Sequence, residues 1–382
     1  MGCYFGRRQR RVRQKVGRSS NVVGLFRKPI LVAMIGVAVV VVVVFAVVAV
    51  VTAPGGGPGC AGIKFRSTVD ASGSGSTGPR PPIGQGALIA RLRSALRGDE
   101  QVAYCHDFAD PFVLQVDGKY FAYSTNSGKF HVPVLLANRP FSSGTRAEAL
   151  PHLPGWSKHI PGRVWAPSVL PRNGGYVLYY SDAVGDGREC ISVATANAPA
   201  GPFTDRTDQP LICPSPRGAI DPSPFVAADG QAYLLWKDGG ADAIVVQRLT
   251  PDGLHLTGDT HVLIGADQTW EAGIVEGPTL AFLDGRYYLF YSANRWDTPN
   301  YAIGYATCQT PTGPCIKPLT RPWLASSTIA QGPGGPEVFR DPQGHVFLAL
   351  HAWLAGAVGY PQGARNLFVL QLTVIHGKPS AL

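Results

Sequence analysis

Asp110-Pro111-Phe112-Val113-Leu114, Ala166-Pro167-Ser168-Val169-Leu170, Asp221-Pro222-Ser223-Pro224-Phe225, Gly277-Pro278-Thr279-Leu280-Ala281 and Gly335-Pro336-Glu337-Val338-Phe339 are five versions of one phrase. Each opens on a residue before proline, runs apolar, and reaches a turn: Asp117-Gly118, Asn173-Gly174, Asp229-Gly230, Asp284-Gly285 and Gln343-Gly344. The five prolines stand 56, 55, 56 and 58 residues apart, a regularity that marks a structural repeat. Each unit reads as a hairpin, because Asp-Gly or Asn-Gly supplies the positive φ of a tight turn and proline is tolerated where it opens a strand. Returning strands such as Tyr176-Val177-Leu178-Tyr179-Tyr180 and Tyr287-Tyr288-Leu289-Phe290-Tyr291 carry the aromatic and β-branched residues that pleated sheets favour. Further on, Ile191-Ser192-Val193-Ala194-Thr195 and Ile303-Gly304-Tyr305-Ala306-Thr307 read as third strands. About 56 residues suit four short strands, which is one propeller blade. The fold class is all-β, a five-bladed β-propeller over residues 100–382.

Ahead of it lie three unlike segments. Of the 34 Lys and Arg in the chain, nine fall in residues 1–28, which contain no acid; the 25 that remain are matched by the 25 Asp and Glu. The net charge of +9 therefore belongs to a basic tail, and the propeller lacks the cationic surface of a nucleic-acid-binding domain. Residues 29–53 read as a transmembrane signal anchor, since the uncharged run 30–53 would span roughly 36 Å as a helix. The positive-inside rule puts the tail in the cytoplasm and the propeller outside a cell membrane crossed once. Cleavage after Ala53 as a signal peptide is the alternative. Residues 54–99 form a Gly-, Pro- and Ser-rich linker ending in a short amphipathic helix around Gln85 to Arg97. Six cysteines then lie on the oxidising side, and the pairings expected are Cys308 with Cys315, Cys190 with Cys213 and Cys60 with Cys105.

Equivalent positions on successive blades are related by rotation about the propeller axis, so the five residues before proline should line one channel at one height. Three of these slots hold small residues, Ala166, Gly277 and Gly335. Two hold Asp110 and Asp221, and Glu276 stands one place before the fourth slot. Three carboxylates thus converge on a roomy pocket. Clustered acids resist joint ionisation, which keeps one of them protonated near neutral pH. A protonated acid beside an ionised one is what glycoside hydrolysis needs. Trp165, Phe225 and Trp270 are candidates to stack on sugar rings, and Arg295 to grip hydroxyls.

In order and spacing, Ala109-Asp110-Pro111, Trp165-Ala166-Pro167, Ile220-Asp221-Pro222-Ser223-Pro224-Phe225 and Glu276-Gly277-Pro278 resemble the motifs of glycoside hydrolase family 43, which includes arabinanases, arabinofuranosidases and β-xylosidases. The resemblance implies an inverting glycosidase with Asp110 as general base, Asp221 as the residue that tunes and orients the acid, and Glu276 as general acid. It implies a polysaccharide or oligosaccharide substrate with arabinofuranosyl or xylosyl linkages, and no required cofactor. Many family members carry a histidine in the fifth-blade motif that holds a central calcium ion or fixes the carboxylates. Gln331-Gly332-Pro333-Gly334-Gly335 has none, which puts a central Ca2+ in doubt, and His351 on the following strand, although it could approach the axis, reads as a structural histidine. Asp107 is a rival to Asp110 outside the repeat register. Two alternatives remain: a carbohydrate-binding propeller without catalysis, and a related five-bladed glycosidase or glycoside phosphorylase.

Overall fold

The computed structural model describes residues 102–140 and 144–381. Their strands form five separate antiparallel sheets. The first comprises β2 (Phe112–Val116), β3 (Lys119–Tyr123), β4 (Pro133–Ala137) and β5 (Thr145–Glu148), and the second β6 (Val164–Arg172), β7 (Gly175–Ala183) and β8 (Glu189–Ala196). The third comprises β9 (Ala219–Val226), β10 (Ala232–Asp238), β11 (Ala243–Leu249) and β12 (Leu256–Gly265). The fourth is β13 (Val275–Leu283), β14 (Arg286–Ala293), β15 (Ala302–Cys308) and β16 (Cys315–Ile316). The fifth is β17 (Ala330–Arg340), β18 (Val346–Leu354) and β19 (Asn366–Ile375), extended by β20 (Lys378–Ala381). Strands β2, β6, β9, β13 and β17 touch one another in that cyclic order, so the five sheets close into a propeller.

Two details depart from four strands per blade. The second blade has three, its fourth replaced by isolated bridges from Ile191 to Ile212 and from Thr195 to Thr204. The fifth blade takes its outer strand from the start of the domain: β1 (Val102–Tyr104) pairs antiparallel with β19. The first residues of the propeller thereby tie its last blade shut.

Strict alternation along each middle strand supplies the core. On β14, Tyr288 and Phe290 pack toward the fifth blade while Leu289 and Tyr291 pack toward the third. On β18, Leu348 and Leu350 face the fourth blade, and Phe347 and Ala349 face the first. Because successive side chains leave opposite faces of a strand, every blade is buried on both sides, and five apolar clusters fill the five gaps between neighbours. The hairpin turns follow from sequence: Asp117-Gly118, Asn173-Gly174 and Asp284-Gly285 all have both φ values positive, as a type I′ turn requires. Disulfides join Cys190 to Cys213 and Cys308 to Cys315. The third expected pairing involves Cys60, outside the described residues, as are the basic tail, the apolar run 30–53 and the linker helix. Among the described residues no helix is long and apolar enough to cross a membrane.

The repeat is sharpest at the axis. All five residues before proline adopt left-handed backbone, with φ of 51° at Asp110, 45° at Ala166, 59° at Asp221, 54° at Gly277 and 59° at Gly335. Beside four of them the ladder slips by a bulge, the device by which a strand re-aims a side chain. Each slot amide then donates to a side chain of the preceding blade: Asp110 to His351 Nδ1 (2.9 Å), Ala166 to Thr125 Oγ1 (2.9 Å), Asp221 to Ser181 Oγ (3.3 Å), Gly277 to Asp221 Oδ2 (2.8 Å) and Gly335 to Ser292 Oγ (2.8 Å). Ser292→Ala leaves the buried Gly335 amide without an acceptor, which should cost about 1–3 kcal/mol. Urea unfolding of the variant checks this; an unchanged midpoint would mean that the ring of bonds contributes nothing.

Candidate active site

The left-handed slots bring Asp110, Asp221 and, one place before its slot, Glu276 to one cavity of about 440 Å³, within the usual size for a small-ligand site. Trp165, Trp296, Tyr301, Tyr360, Arg365 and Asp107 complete its walls. Below the ring, a second space of about 40 Å³ runs along the axis between the slot residues and their prolines. At its edge the buried Glu337 accepts from Thr279 Oγ1 (3.1 Å) and is pushed up to about 8 by burial.

Asp110 faces a hydroxyl donor, a guanidinium and an imidazole. Its Oδ2 accepts from Thr125 Oγ1 at 2.5 Å, Arg365 Nη1 lies 3.7 Å from the same oxygen, and His351 Nδ1 lies 3.4 Å from Oδ1. Burial pushes this carboxyl up, but the Arg365 charge and the donors outweigh it and hold Asp110 below its usual range. His351 is itself fully buried and lowered to about 3 by that burial. It is therefore neutral at working pH, which leaves Arg365 and the Thr125 hydroxyl to hold Asp110 ionised. Since His351 Nδ1 accepts the Asp110 amide, its proton sits on Nε2, which finds no hydrogen-bond partner among the described residues.

Asp221 and Glu276 behave oppositely. Burial and the neighbouring Glu276 and Asp110 charges push Asp221 well above its usual range. Burial also raises Glu276, partly offset by Tyr301, whose hydroxyl donates to Glu276 Oε1 at 2.8 Å. Asp221 is tied to the acid through backbone as well, because its Oδ2 accepts the amide of Gly277, the residue after Glu276. One site thus holds a carboxyl whose surroundings favour the anion beside two whose surroundings favour the protonated form, the division of labour that acid–base catalysis needs.

A buried cluster sets the approach of Glu276. The short 3-10 turn Thr269–Glu271 ends five residues earlier. Glu271, fully buried, accepts from Tyr291 OH (2.8 Å), Lys317 Nζ (2.6 Å) and the amides of Asp267 and Gln268. Its carbonyl accepts from the amides of Ile274 and Asn294, fixing the start of β13.

Of the sugar contacts expected from sequence, Trp165 lines the cavity; Phe225, Trp270 and Arg295 do not. Phe225 sits at the far end of β9 from Asp221 and packs edge-on against Tyr287. Trp270 is drawn into the core beside Tyr291, its Nε1 donating to Gln268. Arg295 points outward into an ion pair with Asp297 (2.7 Å), and its neighbour Trp296 takes the wall instead. Asp107, outside the repeat register, accepts from Tyr360 OH (2.5 Å) and the Arg365 amide (3.2 Å). His351, read as structural, fixes the Asp110 backbone. Arg365, Tyr301, Thr125 and Tyr360 had no sequence signal of their own. Among the described residues no cluster of His, Cys, Asp or Glu has the arrangement of a metal cage.

Residues 104–378 match the family model of Glycosyl hydrolases family 43. The chain belongs to this family. It is a glycosidase hydrolysing O-glycosyl compounds. A β-D-galactofuranosidase of Aspergillus niger is 29% identical over 268 residues, covering 64% of this chain and 73% of that protein. An extracellular endo-α-(1→5)-L-arabinanase of Bacillus subtilis is 28% identical over 245 residues, covering 59% and 72%. An arabinoxylan arabinofuranohydrolase of the same species is 28% identical over 254 residues, covering 55% of this chain and 48% of its own length. Among solved structures, a thermostable family-43 glycoside hydrolase superposes with a TM-score of 0.64 at 29% identity, covering 72% of this chain and 92% of that one.

The fifth slot of this chain has no room for a side chain. A Cβ on Gly335 would lie 2.8 Å from His351 Nδ1 and 3.0 Å from the Asp110 Cα. Gly335→Ala should therefore push His351 off the Asp110 amide and lower kcat/KM about tenfold or more, as sub-ångström misplacement of catalytic groups does. Steady-state kinetics checks it, and an alanine variant with wild-type kcat/KM would show that this contact is not needed.

Proposed function

We propose that the chain is an inverting glycosidase that cleaves arabinofuranosyl or xylosyl linkages in polysaccharide of the arabinan or arabinoxylan type, held outside the cell membrane by residues 30–53. The observation that carries the chemistry is that Asp110, beside Arg365 and Thr125, and the buried pair Asp221 and Glu276 line one cavity, with Asp110 held low and the pair held high. The substrate class is supported by the activities of the galactofuranosidase, arabinanase and arabinofuranohydrolase relatives.

In this reading the sugar enters the cavity with its anomeric carbon between Asp110 and Glu276. Asp110, ionised beside Arg365, takes a proton from a water that attacks the anomeric carbon. Glu276 gives its proton to the departing glycosidic oxygen, so the bond breaks without a charged alkoxide. Burial and the Asp110 charge favour the protonated form of Glu276, and Asp221 holds it in line through the Gly277 amide. The Trp165 indole offers an apolar face to the ring carbons. A binding module without catalysis gains nothing from holding two acids in opposite protonation states.

The test is turnover by the purified full-length chain of aryl α-L-arabinofuranosides, aryl β-D-xylosides, aryl β-D-galactofuranosides and arabinan. Asp110→Asn and Glu276→Gln should each lower kcat/KM by about 10²–10⁴-fold. The profile against pH should be a bell. Activity rises as pH climbs through the lowered Asp110 value, where the base ionises, and falls as pH passes the raised value of the acid pair, where the donor is lost. Arg365→Met removes the charge that depresses Asp110, so its acidic limb should move to higher pH. An Asp110→Asn variant with full activity sinks the assignment of the base.

A further inference from the structure

Two tryptophans wall the cavity, and each carries a guanidinium on one face. Arg365 lies over Trp296 and Arg163 over Trp165, both 4.8 Å from the ring centre. The two arginines are used differently. Arg365 lines the cavity and touches Asp110. Arg163 lines no part of the cavity, and its polar contacts face away from it, to the Glu189 carboxylate through Nε and to the Gly187 carbonyl through Nη2 (3.0 Å). Glu189, on β8, is buried, and its second oxygen finds no partner among the described residues. Burial pushes Glu189 up to about 7 against the pull of Arg163, and Arg163 is held to one orientation by its pairing with this buried carboxyl.

That orientation closes one face of Trp165. The edge of the indole is fixed too, since Nε1 donates to the carbonyl of Gly162 (2.8 Å), a residue of the cavity wall. With one face under a guanidinium and the edge tied, the opposite face is the one left for a ligand. A cation on the far face also polarises the indole π system.

We infer that Arg163, locked by Glu189, is a positioning residue for substrate: it sets the plane of the Trp165 platform and so governs affinity at that wall without touching the sugar. This rests on the glycosidase reading above and adds a specificity determinant to it. Arginine is required because only a planar guanidinium can stack on the ring while pairing with the carboxylate.

The experiment is a set of variants of the full-length chain assayed on the best glycoside, with thermal unfolding alongside. Arg163→Met should raise KM about fivefold, the scale of a partly exposed cation–π contact, with kcat within about twofold. Arg163→Lys keeps a cation for Glu189 but not the stacked plane, so it should restore the melting temperature while leaving most of the KM defect. In a Trp165→Ala background, Arg163→Met should raise KM no further, because the two residues act through one contact. Affinity for arabino- and xylo-oligosaccharides, measured by calorimetry on Glu276→Gln versions, gives the same comparison without turnover. Three results overturn the inference: a KM rise of equal size with and without Trp165, full recovery of KM in Arg163→Lys, or a lowered melting temperature with unchanged KM. A wild-type chain that neither binds nor hydrolyses any of these glycosides is a different failure. It removes the substrate class, and the inference falls with it.

Discussion

The site depends on five backbone amides. Each innermost strand must turn its pre-proline residue toward the axis, and the left-handed backbone this demands is unfavourable for an L-residue by roughly 1–2 kcal/mol. What holds it is the bond from that amide to an acceptor on the preceding blade. In three blades the acceptor belongs to the cross-strand partner of the residue just before the slot: Ser181 opposite Trp165, Ser292 opposite Glu276 and His351 opposite Gly334. In the third blade this position is Lys237, opposite Ile220, and an ammonium cannot accept. The Asp221 carboxylate accepts in its place. A residue of the fold's closure and a residue of the proposed chemistry are here one side chain, and this ties Asp221 to the backbone beside Glu276.

The same ring explains the two protonation states. At the junction of the fifth and first blades the acceptor is a neutral histidine, and the Arg365 charge stands beside Asp110. At the junction of the third and fourth, two buried acids share a confined space. Only Tyr301 donates directly to the Glu276 carboxylate among the described residues, and Lys237 acts at longer range. Burial alone would raise all three carboxyls; the uneven supply of donors separates them. The Trp165 and Trp296 walls, each backed by an arginine, place apolar surface around this polar centre, as a site for a ring with both hydroxyl and C–H faces requires.

Much of this was legible in the sequence, for a definite reason. The slots and their acids lie within the repeat, and rotation about an axis converts a spacing of about 56 residues into adjacency. The hairpin turns and two disulfides were readable from local chemistry. What could not be read lies off the repeat. Arg365, Trp296 and Tyr360 come from connections outside the strands, and only closure of the ring brings them to Asp110. Phe225 shows the converse error: four residues beyond Asp221 on an extended strand is about 13 Å away, at the other end of the blade. The fifth-blade motif itself carries no histidine. His351 acts on Asp110 from the neighbouring strand, and the glycine at the slot is what gives it room.

The most direct test of the account is the anomeric configuration of the first sugar released, followed by proton NMR from the first seconds of hydrolysis, before mutarotation. Attack by a water activated at Asp110, opposite the bond protonated by Glu276, predicts that the product appears first with inverted configuration and equilibrates later. Initial release with retained configuration would contradict the account, because it requires one of these carboxylates to bond to the sugar rather than to activate water.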